Sequence, residues 1–332
     1  MKDPKLQIAI DRGGTFTDVW AKIPGKGEII FKLLSEDPFN YEDAPTEGVR
    51  RVMEVFSGDQ IPKGTKLDGS LIEWIRMGTT VGTNALLEKK GDKFLYVTTE
   101  NLGDVLEIGT QARPELFNLN VKKPTPLYTE ILEVEERVTI ENSSDDPNQT
   151  KICHDEKERV FLTKSGIYIK VVKELNIRKT TEKLEEFYRK GYRNIAVCLA
   201  HSSIYDKHEQ EIKHIATEIG YEYISLSSEL ATSMGLLQRG NSACINAYLT
   251  PTIQKYVKKF SDAFKNPPMI DFMKSDGGLV KAEDLNGLNS ILSGPAGGAV
   301  GFAKTSYDGK TPVLGFDMGG GLQLMCVDLI TS

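Results

Sequence analysis

Hydrophobic and polar positions alternate with turn residues in a regular order along most of this chain. An apolar run at residues 8–10 enters a Gly-Gly turn, and a β-favouring run at residues 15–20 leaves it, which predicts a hairpin of two strands. Residues 28–34 predict a third strand. From there to about residue 225, strand-like runs alternate with segments of helical spacing. The chain is therefore predicted to be an α/β protein with a mixed sheet.

The same patterns give the remaining elements. Helices are predicted at residues 46–56, 85–90, 180–190, 208–220, 245–264 (broken or restarted at Pro251) and 293–304. Strands are predicted at residues 71–77, 94–98, 131–140, 194–200, 223–226 and 269–273.

The turn of the first hairpin is the leading candidate for chemistry. Gly13 and Gly14 permit positive φ and the close approach of a ligand to the backbone. Successive exposed N–H groups in such a turn form a concavity that suits phosphate oxygens. Thr15 and Thr17 are candidate hydroxyl donors beside it.

Two carboxylates flank the same turn. Asp11 and Asp18 are candidate ligands of a hydrated Mg²⁺, which prefers one or two carboxylates together with water and phosphate. The alternative interpretation is an ordinary tight hairpin, because one Gly-Gly pair is a short motif that often occurs without function.

A second copy of the pattern favours the functional interpretation. Residues 314–321 repeat it without gaps, since Asp317, Gly319 and Gly320 align with the first aspartate and the two glycines. Two such hairpins in one chain predict a duplicated fold whose halves face each other across a nucleotide. The copies then diverge, and the positions of Thr15, Thr17 and Asp18 are taken by Gly321, Gln323 and Leu324.

A Thr/Gly-rich turn precedes the helix predicted at residues 85–90. Strand, turn and helix in this order place free N–H groups at a helix start, where anions bind. The candidates for a substrate or phosphate contact are Thr79, Thr80, Thr83 and Asn84. Plain N-capping is the alternative. Arg113, in a later loop, is a candidate for binding a substrate carboxylate through two hydrogen bonds.

A second small-residue segment, at residues 293–298, opens another predicted helix. Ser293 is its candidate cap, Pro295 lies near the first turn, and three glycines allow a ligand to approach closely. Tight packing of the helix against a sheet is the alternative. His201 and His208 do not have the i, i+4 spacing of a helical metal-binding pair. We expect these two histidines and His214 to have structural roles.

Composition limits the class of protein. The chain has 332 residues, enough for two domains, with 39% hydrophobic and 27% charged residues. A net charge of −6 argues against a nucleic-acid partner. No apolar run approaches the roughly 18 residues of a membrane span, and the N-terminus lacks a secretory signal. Four widely spaced cysteines predict neither a zinc site nor disulfides, so we expect a cytosolic protein.

These motifs resemble the N-terminal part of the 5-oxoprolinases, within the hydantoinase A / acetone carboxylase group of actin-like enzymes. Arg12 and the run at residues 35–51 favour the 5-oxoprolinases within that group. The similar stretches cover nearly the whole chain, at residues 8–18, 32–51, 76–91, 106–119, 239–251, 273–279, 292–301 and 315–320.

The resemblance implies a fold and an activity. The fold would be an actin-like (ribonuclease H-like) ATPase fold, with residues 1–225 as the N-terminal domain and 226–332 as the start of an incomplete hydantoinase A domain. The activity would be ATP-driven opening of 5-oxo-L-proline to L-glutamate in the cytosolic glutathione cycle. Mg²⁺, a monovalent cation such as K⁺, and a homodimer are also implied. Asp11 and Asp317 would be the catalytic carboxylates of the two loops.

Departures from the family pattern leave three hypotheses. From Gly319 the chain reads Gly-Gly-Gly-Leu-Gln-Leu, where the family continues Gly-Gly-Thr-x-Thr-Asp, and residues 231–237 also differ. The family chain also extends far beyond residue 332. We therefore consider an ATP-dependent 5-oxoprolinase, an inactive truncated isoform, and a hydantoinase or acetone carboxylase type of subunit that needs a partner chain.

Overall fold

The computed structural model of this chain describes residues 5–110, 117, 125–141, 154–318 and 322–327. The chain forms two compact units. One consists of Met1–Gly91 together with Pro251–Ser332, and the other of Asp92–Thr250. The predicted boundary between residues 225 and 226 separates two sequence domains, and it stays a prediction. It does not coincide with either end of the second compact unit, Asp92–Thr250.

The strands are numbered here in chain order. They are β1 (Leu6–Arg12), β2 (Phe16–Ile23), β3 (Gly27–Leu34), β4 (Leu67–Asp68), β5 (Ile72–Thr79), β6 (Leu95–Thr99), β7 (Glu130–Val134), β8 (Arg137–Ile140), β9 (Val160–Leu162), β10 (Tyr168–Lys173), β11 (Asn194–Cys198), β12 (Tyr223–Leu226), β13 (Phe264–Lys265), β14 (Met269–Met273), β15 (Leu279–Lys281), β16 (Val313–Met318) and β17 (Leu322–Val327).

The α-helices of the described residues are numbered in the same way. They are α1 (Ala44–Ser57), α2 (Val81–Leu87), α3 (Val105–Ile108), α4 (Ile177–Arg189), α5 (Lys207–Ile219), α6 (Ser227–Leu230), α7 (Leu236–Asp262), α8 (Gly287–Ser290) and α9 (Ser293–Thr305). In this part of the chain, no helix combines the length and the apolar character that crossing a membrane requires.

A six-stranded mixed sheet organises the first unit. Its order is β15-β14-β5-β1-β2-β3, with β1 parallel to β5 and antiparallel to β2. Leu6, Ile8 and Ile10 alternate with more exposed positions along β1, so one face of the sheet is buried. That face packs on two helices through Val49, Val52 and Met53 of α1 and Ile253, Val257 and Phe260 of α7.

A four-stranded parallel sheet, ordered β12-β11-β6-β7, forms the centre of the second unit. Every residue of β6 and β11 is buried, which is the pattern of parallel strands covered on both faces. A separate antiparallel sheet, β8-β10-β9, completes this unit within the described residues. The strand predicted at residues 131–140 is therefore two strands, β7 and β8, and they lie in different sheets.

Two helix predictions need correction. The helix after the Thr/Gly-rich turn begins at Val81 and ends at Leu87, so Thr83 and Asn84 lie within it rather than before it. The predicted break at Pro251 is absent, because α7 runs through the proline. Proline removes a helical hydrogen bond, but full burial of its neighbours Leu249 and Ile253 compensates for that loss.

Candidate functional site

The first glycine turn joins β1 to β2 in three residues. The N–H of Gly13 donates to Phe16 O (3.0 Å), and the Ser35 hydroxyl donates to Gly13 O (2.8 Å). The prediction of positive φ is wrong for both turn glycines, since neither is among the left-handed residues of the described chain. Gly13 is needed for another reason, because a Cβ at this position would lie 2.9 Å from Phe16 O.

Two backbone N–H groups of this turn remain available. In the described chain, neither the Gly14 N–H nor the Thr15 N–H donates to a protein acceptor, whereas Thr15 O accepts from Ser35 N (2.9 Å). Both residues are exposed. Successive free N–H groups in a turn can form an anion-binding concavity. The candidate phosphate contact therefore begins at Gly14, one residue later than the sequence pattern predicts.

The two turn glycines should respond differently to alanine. We expect Gly13→Ala to lower the free energy of unfolding by about 1–3 kcal/mol, because the methyl group overlaps backbone that cannot move away easily. At Gly14 the nearest atom to a Cβ is Asn84 Nδ2, an ordinary contact at 3.6 Å, so Gly14→Ala should fold normally but bind ATP more weakly. Urea unfolding and calorimetric titration with ATP test both. Equal stability of the two variants would contradict this assignment.

The two predicted metal-binding carboxylates lie side by side. Asp11 and Asp18 are direct partners in the β1–β2 register, and both are exposed on the outward face of the sheet. Directly opposed residues have Cβ atoms about 5 Å apart. Gly78 on β5 leaves room for Asp11, since a Cβ there would be 2.9 Å from Asp11 Oδ1. Lys32 lies 3.2 Å from Asp18.

This pair fits Mg²⁺ better than a metal that needs a complete protein cage. Over the described residues there is no cluster of three or more metal-ligating side chains. Mg²⁺ keeps several waters and needs only one or two carboxylates beside phosphate oxygens. Asp11 and Asp18 therefore have the chemistry to hold the ion at the end of the hairpin, next to the free amides.

Thr17 is placed differently from its neighbours in the predicted loop. Its side chain is fully buried, and its hydroxyl is 2.9 Å from the Ser35 hydroxyl. Successive residues of a strand point to opposite faces, so Thr17 lies on the inner face while Asp18 lies on the outer one. The structure thus gives the Thr17 hydroxyl a role inside the hairpin, where it joins β2 to the residue after β3.

Two of the four polar residues near the start of α2 are brought to the glycine turn. Thr80 donates to Arg12 O through both its N–H (3.0 Å) and its hydroxyl (3.2 Å). The Asn84 amide lies over Gly14 and donates to the Thr80 hydroxyl (3.5 Å). The other two serve the fold, because the buried Thr79 hydroxyl accepts from Val81 N and the Thr83 hydroxyl donates to a backbone carbonyl before α9.

The helix α9 begins beside this group. The Ser293 hydroxyl donates to Thr79 O (2.6 Å), and a Cβ on Gly294 would be 3.6 Å from Thr80 Cγ2. Close packing does not require a glycine at two later positions, since a Cβ on Gly297 would make only ordinary contacts and Gly301 faces open space. The start of α9 therefore lies at the same end of the sheet, where the positive end of the helix dipole favours an anion.

The second predicted hairpin is present in the backbone. β16 and β17 are antiparallel and joined by three residues, as β1 and β2 are. Asp317 pairs with Gln323, whereas gapless alignment of the two motifs would pair it with Leu324. The registers of the two hairpins therefore differ by one residue. Gly319, Gly320 and Arg113 lie outside the described residues, and Asp317 is described in its backbone only.

The second unit contains a buried polar network that the sequence did not predict. At the carboxyl ends of its parallel strands, Glu209 accepts hydrogen bonds from Ser227 and Ser228, and Arg239 donates to Ser227 and Ser202. No short sequence motif predicts this network, because its residues are far apart in the chain. Burial raises the pKa of the nearby Cys198 thiol to about 11, so this cysteine is an inert core residue.

His208 belongs to the same buried region and is held by two carboxylates. Its Nδ1 lies 2.9 Å from Glu136 and its Nε2 lies 3.2 Å from Glu174. Burial opposes the charged ring, but the two hydrogen bonds outweigh it and raise the pKa of His208. This agrees with the structural role expected for the histidine.

The pH dependence of stability should reveal this charge. The folded pKa of His208 lies above the unfolded value of about 6.5, so its contribution is complete below that pH and is lost as the pH rises through the folded pKa. We expect His208→Gln to lower Tm most at about pH 6 and least at about pH 9. Thermal unfolding of both proteins across this range tests it, and a Tm difference that does not change with pH would contradict it.

Comparison with known proteins places these features in context. Residues 7–220 match the family described as hydantoinase/oxoprolinase N-terminal region, and residues 239–321 match the one described as hydantoinase/oxoprolinase. The chain is 44% identical over 327 residues to a 5-oxoprolinase of Saccharomyces cerevisiae, a match that covers 96% of this chain and 25% of that protein. The chain spans about a quarter of the length of this and other curated relatives that it matches.

Two solved structures share the fold. The nucleotide-free structure of acetone carboxylase superposes with a TM-score of 0.70 at 17% identity and covers 97% of this chain and 44% of that one. The ATP-dependent caprolactamase from Pseudomonas jessenii superposes with a TM-score of 0.70 at 20% identity and covers 96% and 43%. At these identities the likeness concerns the fold alone. The predicted α/β fold of actin-like ATPase type, with its mixed sheet, is confirmed.

Proposed function

This chain belongs to the hydantoinase/oxoprolinase family, and from that premise we propose that it is the nucleotide-binding part of an ATP-dependent 5-oxoprolinase. The reaction opens the ring of 5-oxo-L-proline to give L-glutamate and releases ADP and phosphate. The observation that carries the proposal is the glycine turn. Its two free N–H groups lie next to a pair of facing carboxylates at one end of the sheet.

The chemistry explains why ATP would be needed. A lactam is a poor electrophile, and phosphorylation of its amide oxygen creates a leaving group. Phosphoryl transfer depends on positioning and on neutralising charge rather than on covalent chemistry by the protein. A bound Mg²⁺, held by Asp11 and Asp18, would supply that neutralisation. The protein's part is to orient the phosphates and to hold the ion.

The residues take distinct roles in this proposal. Asp11 and Asp18 hold Mg²⁺, and the N–H groups of Gly14 and Thr15 bind phosphate oxygens. Thr80 and Asn84 border the same space and contact the substrate side. The proposal also includes a second phosphate loop (Asp317, Gly319, Gly320), a substrate contact of Arg113, a monovalent cation, a homodimer, and a place in the cytosolic glutathione cycle.

A second candidate is a chain that binds nucleotide without turnover. In the second hairpin the partner of Asp317 is Gln323, an amide, whereas in the first hairpin two carboxylates face each other. An amide does not supply the negative charge of a metal ligand. The second loop would then bind phosphate without completing the metal site, and turnover would need a partner chain or would not occur.

Purified protein distinguishes these functions in two measurements. The first is calorimetric titration with ATP and Mg²⁺, and the second is release of ADP that depends on 5-oxoproline. Binding with 5-oxoproline-dependent ADP release supports the enzyme, and binding without it supports the second candidate. Absence of ATP binding would contradict both. ADP release stimulated equally by unrelated lactams would contradict the proposed substrate.

A further inference from the structure

Arg12 is an unusual cation at the end of β1. It is the last residue before the glycine turn, and its carbonyl is fixed by the two hydrogen bonds from Thr80. Its Nε is buried and has no hydrogen-bond partner among the described residues. The described chain also offers no carboxylate within ion-pair distance of its guanidinium.

The protein holds this guanidinium in place without neutralising it. The guanidinium carbon lies 5.4 Å from the centre of the Tyr256 ring, a cation–π contact that fixes the side chain and leaves its charge intact. Asp43 makes no ion pair with this guanidinium, and its Oδ2 accepts from the Thr46 N–H (3.0 Å) and hydroxyl (2.7 Å). Asp18 pairs with Lys32 on the other face of the sheet.

A partly buried cation without an anion is costly unless an anion arrives. The adjoining turn offers a place for one, because the Gly14 and Thr15 N–H groups are also without acceptors in the described chain. A guanidinium presents its donors in a rigid planar fork that matches phosphate oxygens. The Gly14 and Thr15 N–H groups and the Arg12 guanidinium therefore suit the same kind of ligand, a phosphate group.

We propose that Arg12 binds the terminal phosphates of a nucleoside triphosphate and so sets the preference for triphosphate over monophosphate. This inference rests on the proposed function. The inference adds one cation, Arg12, to the phosphate-binding groups of the glycine turn. If Arg12 is only a packing residue over Tyr256, its removal will change stability and leave nucleotide preference untouched.

Three variants of the intact chain test the assignment. Arg12→Met keeps a long side chain over Tyr256 without charge, Arg12→Lys keeps the charge without the fork, and Lys22→Met removes an exposed cation from the far end of the same hairpin. Calorimetric titrations with ATP, ADP, AMP and pyrophosphate, with Mg²⁺ present, report the affinities. Thermal unfolding of each variant reports whether it is folded.

We expect the loss of affinity to depend on the number of phosphate groups in the ligand. Arg12→Met should weaken ATP and pyrophosphate binding by about tenfold or more and AMP binding by less than about twofold, with Arg12→Lys between it and the unchanged protein. Lys22→Met should bind all ligands normally. Unchanged ATP affinity in folded Arg12→Met, or in Arg12→Lys if the methionine variant unfolds, would overturn this inference alone. Failure of the unchanged protein to bind ATP would overturn the proposed function and this inference with it.

Discussion

Replacement of Asp11 by asparagine is expected to lower 5-oxoproline-dependent ADP release by on the order of 100-fold, the loss that follows removal of one preorganised charge-stabilising group. The substitution keeps the size of the side chain and one oxygen ligand but removes the negative charge. Asp11 lies opposite Asp18 at the end of the hairpin and over Gly78, so the amide should occupy the same place. The half-saturating Mg²⁺ concentration should rise together with the loss of rate.

Two matched substitutions make this prediction specific. Asp18→Asn should cost less, about tenfold, because Lys32 at 3.2 Å already offsets part of that charge. Asp59→Asn, at an exposed position after α1, should leave the rate unchanged. The assay is ADP release measured over a range of Mg²⁺ concentrations. The metal-binding assignment would be wrong if Asp11→Asn lost no more activity than Asp59→Asn, or if the loss did not depend on Mg²⁺.

If this chain binds ATP without turnover, the same substitution is still informative. Asp11→Asn should then reduce the gain in ATP affinity that Mg²⁺ provides, while ATP affinity measured with a chelator stays the same. A metal ligand and a structural carboxylate differ in this respect, because loss of a structural carboxylate would weaken binding with and without the ion. The comparison therefore tests the role of Asp11 independently of the overall reaction.

Local signals made the first hairpin and its facing carboxylates predictable. An apolar strand, a glycine pair and a β-branched strand lie within thirteen adjacent residues, from Ile8 to Trp20, and their pairing needs no distant partner. The repeat of this pattern before Gly319 predicted the β16–β17 hairpin for the same reason. In the first hairpin the alternation of side chains is enough to say which residues share a face. In the second, the register differs by one residue from the gapless repeat, so Asp317 faces Gln323 and not Leu324.

Predictions failed where a distant residue decides the outcome. Thr17 looked like a loop donor because it is close to the glycines in sequence, but Ser35, eighteen positions later, holds its hydroxyl inside the hairpin. The start of α2 was placed too late because Thr83 and Asn84 are poor helix formers, and their contacts with other segments outweigh that propensity. The sequence marks Arg12 only as a residue typical of the 5-oxoprolinases, because the lack of a partner for its Nε among the described residues is a property of the fold.

Glu209 shows the same limit, and its replacement by glutamine is the largest stability change we expect. In the sequence it is one acidic residue among many at the start of a helix. In the structure it is fully buried, and four donors point to its two oxygens: Leu199 N (3.0 Å), Ser227 Oγ (2.7 Å), Ser228 N (3.0 Å) and Ser228 Oγ (2.7 Å). A glutamine amide would turn a donor toward two of these donors.

We expect Glu209→Gln to lower the free energy of unfolding by about 3–5 kcal/mol, the usual cost of breaking a buried charge network from one side. Glu229→Gln is the matched control, because Glu229 is exposed and pairs with Lys213 at 2.8 Å. Its loss should cost less than about 1 kcal/mol. Urea unfolding at neutral pH measures both changes, and similar values for the two variants would contradict the assignment.

A double variant tests why the network is stable. Arg239 donates to the Ser227 hydroxyl (2.7 Å), and that hydroxyl donates to Glu209, so one serine links two buried opposite charges. If each charge is tolerated because the other is present, Arg239→Met will cost several kcal/mol alone but much less in a chain that already carries Glu209→Gln. Additive losses would instead mean that the serines and backbone groups stabilise each charge separately.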